Sequence, residues 1–208
     1  MNHKGITIST WSGGEESCTR LLRSLWNVAY PVLIVINDCK NMSQEWWQKL
    51  YSLSGEQMWH IYEQEYDGFE IGAIRATLNK TLWEEFVLLQ DTIEIKDQDL
   101  FTRLFEDYQG KSVAYNPHFQ MYLGKYRRNV LEGMSLPDVR TKVEAVRQEE
   151  IFTREYMNKD GNTQIFNPQF RDENFYDSWE EMFGRKNLKM EDQYLVKRKG
   201  TWSADQLV

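Results

Sequence analysis

Along the first hundred residues the apolar positions switch repeatedly between strand-like runs and helical spacing, and each switch marks an element. Gly5 to Thr10 (GITIST) is a short β-branched run that predicts a strand, broken by Trp11-Ser-Gly-Gly14. From Glu15 to Asn27 the apolar residues Cys18, Leu21, Leu22, Leu25 and Trp26 fall at helical spacing. Ser12 is the expected N-cap there, with Glu15 completing a capping box. Tyr30-Pro31 ends that helix. Val32 to Ile36 is then a continuous apolar run, predicting a central parallel strand buried on both faces and ending in Asn37-Asp38-Cys39. Ser43 caps a second helix through Leu53, whose Trp46, Trp47, Leu50 and Leu53 share one face, and Trp59 to Tyr62 reads as a third strand.

The stretch from Asp67 to Leu100 repeats the step. Gly68 and Gly72 flank a turn and a helix start, Arg75 and Asn79 lie four apart on one helical face, and Phe86 to Gln90 is an apolar run of strand type. Asp91, Glu94 and Asp97 follow where that strand emerges. Strand and helix alternate through Glu94, which predicts a doubly wound α/β sheet. Ligands of such sheets bind beyond the carboxyl ends of strands, where Asp38 and Asp91 fall. No GxGxxG follows the first strand and no GxxxxGK[ST] occurs, which argues against a dinucleotide fingerprint and a Walker-type phosphate loop.

After residue 100 the pattern loosens. It predicts a helix over 99–108, strands over 111–115 and 119–126 with Gly124 as a bulge or turn, and a long helix over 138–156. Ser135-Leu-Pro137 is the expected N-cap region of that helix, and Val139, Val143, Val146, Ile151 and Phe152 form its apolar stripe. A turn over 159–162, a weakly periodic aromatic stretch over 162–185 and a basic tail from Leu195 to Trp202 complete the chain.

Composition narrows the function classes. At 208 residues, 41% hydrophobic and 14% aromatic, the chain can bury a sizeable core, much of it in large rings. Its net charge of -7 gives no global attraction to nucleic acid or anionic membrane. No run of about 18 apolar residues predicts a spanning helix, and the opening MNHKGITIST lacks the apolar core of a signal peptide. Cys18 and Cys39 have no CxxC spacing and read as reduced thiols. The expectation is a cytoplasmic protein with no membrane partner.

The order of these motifs resembles the GT-A-fold glycosyltransferases, particularly the large inverting family 2 group. Those enzymes open with a strand, a helix and an apolar strand ending in an acid that reads the nucleotide base. A helix carrying an Arg follows, then a strand of form hhhLDxD whose acids hold a metal on the sugar diphosphate. ITIST and PVLIVINDC match the first two strands, GAIRATLN the Arg helix and EFVLLQDTIEI the fourth strand, so the resemblance covers residues 5–105. It implies an α/β GT-A (Rossmann-like), mostly parallel sheet flanked by helices, with a helical or irregular C-terminal part. Residues 1–208 would be one domain, with a donor half over 1–105 and an acceptor half over 106–208 that ends in the basic tail.

The resemblance further implies transfer of a sugar from a nucleoside diphosphate sugar, a UDP-sugar favoured, to a hydroxyl with inversion. Asp38 would accept from the base imide, Thr10 and Trp11 would line the base, and Arg75 would lie near the nucleotide. Asp91 would be the surviving acid of the metal motif, and Asp138, Glu149 or Glu150 the general base. Lys197, Arg198, Lys199 and Trp202 would fold over the diphosphate, and His118 would be a further metal ligand or phosphate contact. In register, however, Gln90 and Thr92 stand where the family places its two Asp. Either Asp91 binds Mn²⁺ or Mg²⁺, with Glu94 or a water completing the site, or the metal is dispensable.

The acceptor stays open between a glycan, a protein and a modified base. The compact, aromatic-rich, acidic chain looks like proteins of large tailed phages. That likeness implies a hydroxymethylated base of phage DNA as one acceptor, reached in the host cytoplasm. Lys125, Arg127, Arg128 and Lys197 to Lys199 would then supply the phosphate contacts, against the global charge of -7. Two other classes compete. One is a non-catalytic nucleotide-sugar binding module, supported by Gln90 and Thr92. The other is a nucleotidyltransferase, disfavoured because the WSGGEES loop has no basic residue.

Overall fold

A computed structural model describes residues 3–57, 59–65, 68–116, 123–170 and 189–198. The first half runs β1 (Lys4–Trp11), α1 (Glu15–Ser24), β2 (Val32–Asn37), α2 (Gln44–Gln57), β3 (His60–Glu63), α3 (Phe69–Lys80) and β4 (Glu85–Gln90). The rest comprises β5 (Ile93–Ile95), α4 (Asp99–Glu106), β6 (Val113–Ala114), β7 (Leu123–Arg127), α5 (Arg128–Leu131), α6 (Lys142–Asp160), β8 (Gln164–Ile165), β9 (Lys189–Glu191) and β10 (Leu195–Arg198). Seven strands form one sheet in the order β3-β2-β1-β4-β7-β6-β8. The first three pairings are parallel, β7 is antiparallel to both β4 and β6, and β8 returns parallel to β6.

The apolar run of β2 is buried on both faces, as its pattern predicts. Val32, Ile34 and Ile36 enter one core with Leu21 and Leu22 of α1 and Leu25 at its C-cap, Trp46 and Leu50 of α2, and Phe101 and Phe105 of α4. Leu33 and Val35 enter the other, with Ile71 and Ile74 of α3 and Phe152 and Tyr156 of α6. Period-two alternation thus sorts one strand between two helix layers. α1 and α2 cross on one face, whereas α3 crosses on the other and returns the chain to β4 on the far side of β1. The order reverses there, and the carboxyl ends of β1 and β4 bound a crevice of the kind where open α/β sheets bind ligands.

A second, antiparallel sheet of order β5-β10-β9 stands beside this crevice. The segment expected as a basic tail therefore begins as a strand, with Lys197 opposite Ile93. Asp192 fixes the turn into it. Its Oδ1 accepts from the Tyr194 and Leu195 amides at 2.8 and 3.0 Å, and its Oδ2 from the Asn167 amide at 2.7 Å and the Tyr115 hydroxyl.

Two local expectations need correction. Gly14, not Ser12, is the N-cap of α1 and makes no side-chain cap bond; Ser12 instead reaches Asp38, and Glu15 bonds Lys49. The long helix starts at Lys142 rather than Asp138. Thr141 accepts from the Glu144 amide and the Glu144 carboxylate answers the Thr141 amide, a capping box that outcompetes Ser135. The strand expected over 119–126 is described from Leu123, and His118, Lys199 and Trp202 lie outside the described residues. Ser43 does cap α2, accepting from the Trp46 amide at 3.1 Å. Among the described residues no helix is long and apolar enough to cross a membrane.

Candidate functional site

The floor of the crevice is the junction of β1 and β4. The Asp91 amide continues the ladder to the Ser9 carbonyl at 3.1 Å, and the buried Asp91 carboxylate accepts from the Thr10 hydroxyl at 2.8 Å. Gly14 closes over this pair. A Cβ there would fall 2.3 Å from Asp91 Oδ2 and 2.7 Å from Thr10 Oγ1, so only glycine lets the start of α1 descend onto the carboxylate. An acid at a helix N-terminus is electrostatically favourable. Burial, and secondarily the Asp91 charge, raises the Cys18 thiol well above its ordinary value, so it stays protonated and unreactive. The Trp11 ring lies over Gly13, whose Cβ would meet it at 2.4 Å.

Side chains alternate at the end of β4, and this decides what each residue faces. Asp91 points toward α1. Gln90 and Thr92 point the other way and meet each other, the Thr92 hydroxyl donating to Gln90 Oε1 at 2.9 Å. Lys197 of β10 donates its ammonium to both Gln90 Oε1 and Thr92 Oγ1. Gln90 Nε2 in turn donates to Glu70 at the start of α3, at 2.5 Å. Asp91, expected as the metal-holding acid, thus reaches the right edge but faces away from positions 90 and 92.

At the end of β2, Asp38 adopts a left-handed backbone (φ 54°) that starts a 3-10 turn over Cys39–Asn41. Its carboxylate accepts from Asn41 at 2.6 Å and from Ser12 at 3.4 Å, with Lys40 3.8 Å away. Two carboxylate oxygens offer about four acceptor positions, so these bonds orient the group without exhausting it. Beneath it the buried Asn37 donates to Ser9 and to the Thr10 carbonyl and accepts from Gln64 at 3.0 Å, tying the ends of β1, β2 and β3 together. Gly72 packs its α-carbon against that same Asn37–Gln64 pair.

The remaining expected residues form other groups. Arg75 donates to the Leu136 and Pro137 carbonyls at 3.2 and 3.0 Å and lies 3.8 Å from Asp138, which also pairs with Arg140 at 2.7 Å. Glu149 lies half-buried on α6. Together with Glu70 and Tyr156 its charge adds to burial, the larger cause, in pushing the Tyr126 hydroxyl well above its ordinary value. Glu94 pairs with Arg198 across β5 and β10 at 3.1 Å.

Of the residues expected to meet DNA phosphates, Lys125, Arg127 and Arg128 are engaged internally. Lys125 is fully buried against Glu85 at 3.2 Å, and that burial pulls its pKa below the ordinary lysine value. Arg127 pairs with the buried Asp160, and Arg128 donates to the carbonyls of Trp83, Leu78, Thr77 and Thr81.

These donor sets do not fit a divalent metal. Hard cations select carboxylates, whereas positions 90 and 92 offer an amide and a hydroxyl already bonded to an ammonium. Among the described residues no three His, Cys, Asp or Glu side chains converge as a metal-binding group. Pattern reading missed Glu70 and Gln64 as parts of this edge, and missed the pairing of Lys197 with Gln90 and Thr92. The departure of Gln90 and Thr92 from the acidic motif was the available signal.

The strand order and crossovers define a GT-A-like α/β fold, and solved structures agree. S. aureus TarS 1-349 superposes with a TM-score of 0.61 at 12% identity, over 80% of this chain and 58% of that one. The mannosyltransferase PcManGT from Pyrobaculum calidifontis, solved with GDP-Man and Mn²⁺, gives 0.58 at 14% identity, over 79% and 55%. A cytidylyltransferase from Leptospira borgpetersenii gives 0.54 at 15% identity, over 88% and 84%. The chain spans 35% to 58% of the length of the TarS and mannosyltransferase chains. No family model matches the sequence, and no curated protein matches it by sequence.

Proposed function

We propose that this chain binds a nucleoside diphosphate sugar and transfers its sugar to a hydroxyl acceptor. The observation that carries this reading is the crevice at the reversal of strand order. There Trp11, Asp38 and the Gln90–Thr92–Lys197 group ring a single edge of a GT-A-like sheet. In this reading Trp11 offers the base a ring face and Asp38 accepts from the base imide. Thr10 and Asp91 position the β1 end and the glycine turn beneath it. The general base of this reading is Asp138, which pairs with Arg140 and Arg75, or Glu149 of α6.

Cytidylyl transfer is the less favoured alternative. The loop after β1 is Trp11-Ser-Gly-Gly-Glu-Glu-Ser17, with no basic side chain to gather a triphosphate. DNA as the acceptor loses the contacts expected of Lys125, Arg127 and Arg128, which are spent inside the fold. A glycan or protein hydroxyl fits the acidic chain better.

Calorimetric titration with UDP-, GDP- and CDP-sugars tests the donor half of this reading. One of them should bind, and Asp38→Ala should weaken that binding about tenfold, the order expected for a lost hydrogen bond to a charged group. An unchanged dissociation constant would refute the base-reading role. No binding of any donor would sink the transferase reading.

A further inference from the structure

We infer that Lys197 is the built-in cation of this site: its ammonium occupies the place between positions 90 and 92 where the resembling glycosyltransferases hold a divalent metal, so that the diphosphate is bound without one. This deepens the donor reading and rests on it.

Strand alternation puts the side chains of residues 90 and 92 on the same side of the chain, the geometry by which two Asp there would grip one ion. In this chain those positions are Gln and Thr, and both accept from Lys197 Nζ. With Gln90 and Thr92 neutral, the group keeps its ammonium without the two carboxylates that paired Asp would add to that of Glu70, so a positive charge stands where the resembling enzymes place the ion.

The lysine is also delivered firmly. Lys197 pairs with Ile93 across β10 and β5, and the Arg198 amide donates to the Thr92 carbonyl at 2.9 Å, so backbone bonds bracket the side chain. Glu70 accepts from Gln90 Nε2, which turns Gln90 Oε1 toward the ammonium. A lysine acts on phosphate as a compact point charge, the role required here. When the bond from the anomeric carbon to the β-phosphate oxygen breaks, its electron pair stays on that oxygen, beside the ammonium. The acceptor oxygen forms the new bond and gives its proton to the general base.

The test is titration of the full chain with UDP, GDP and CDP, in EDTA and in Mn²⁺, with the corresponding nucleosides as controls. The diphosphate that binds should do so equally well in EDTA. Lys197→Met should weaken it about tenfold or more, as loss of a charge-assisted bond does, while nucleoside binding is unchanged. Lys197→Arg should keep most of the affinity. The triple variant Gln90→Asp, Thr92→Asp, Lys197→Met should bind the diphosphate only in Mn²⁺.

Thermal melts check that each variant folds. If Lys197→Met does not fold, the arginine and triple variants carry the test. Wild-type binding that vanishes in EDTA and returns with Mn²⁺ overturns the inference but keeps the donor reading. So does Lys197→Met binding the diphosphate as wild type does. A wild-type chain that binds none of the three in either buffer overturns the donor reading and the lysine's role with it.

Discussion

From β3 to β4 the sheet is parallel and its interior is mainly aliphatic: Ile6, Ile8, Ile34, Val35, Val87 and Leu88 are all buried. From β7 to β8 the pairings are mixed and the interior carries charge. Lys125 lies fully buried against Glu85 and the Tyr108 carbonyl, Asp160 sits between Arg127 and Ser112, and Arg128 gathers four backbone carbonyls. The parallel side is held by non-directional burial, which many apolar side chains satisfy. The mixed side depends on pairs that fail when one member is lost. It also shows why a local run such as Lys125-Tyr-Arg-Arg128 is a poor guide to a polyanion surface: each of its cations has an internal partner remote in sequence.

The difference can be broken most decisively at Glu85. Glu85→Ala removes the carboxylate that pairs with the Lys125 ammonium and accepts from the Gly110 amide, and should cost about 3–5 kcal/mol in chemical denaturation, as unpairing a buried charge does. The double variant Glu85→Gln, Lys125→Met should recover most of that loss. If Glu85→Ala unfolds at the wild-type denaturant concentration, the mixed side is not held by its charges. On the parallel side, Ile34→Val should cost only about 0.5–1.5 kcal/mol, the usual penalty for one buried methylene. A loss as large as that of Glu85→Ala would erase the contrast.

The smallest effect concerns the capping box of α6, where acid titration separates a local device from the packed core. Hydrogen bonds from the Arg140 and Thr141 amides hold the Glu144 carboxyl below its ordinary 4.5. On acidification the unfolded chain takes up this proton first. The Glu144 contribution is therefore complete above 4.5 and is lost as pH falls through the lower folded value. Midpoints for wild type and Glu144→Gln should converge across that acidic window and differ slightly above it. A difference that persists unchanged at low pH would place the effect elsewhere than in the carboxylate.

What could be read from the sequence follows the same division. β1, β2, α1, α2, β3 and β4 were predictable because runs such as Val32–Ile36 and the Leu21, Leu22, Leu25 spacing encode burial locally. The start of α6 was misread because Ser135-Leu-Pro137 and Thr141 are both plausible caps, and only the reciprocal bonds of Glu144 choose between them. The three-stranded sheet was invisible, since β5 meets β10 about a hundred residues away and neither strand is long enough to announce itself. Thr10, Asp38 and Asp91 could be placed at the crevice edge because strand ends are legible. The direction in which Asp91 points, and the arrival of Lys197, depended on pairing that no local window contains.

The turn before β10 has a consequence for which part of the sequence the crevice displays. Asp192 clasps the Tyr194 and Leu195 amides on one side and Tyr115 and Asn167 on the other, and so acts as the stop against which the last strand is indexed. Because neighbours in a strand face opposite ways, a slip of one position would withdraw the lysine and present Val196 or Arg198 instead. One carboxylate, outside the ring of groups around the crevice, thus sets the alignment that decides whether that ring shows an aliphatic side chain, a flat guanidinium or a point charge.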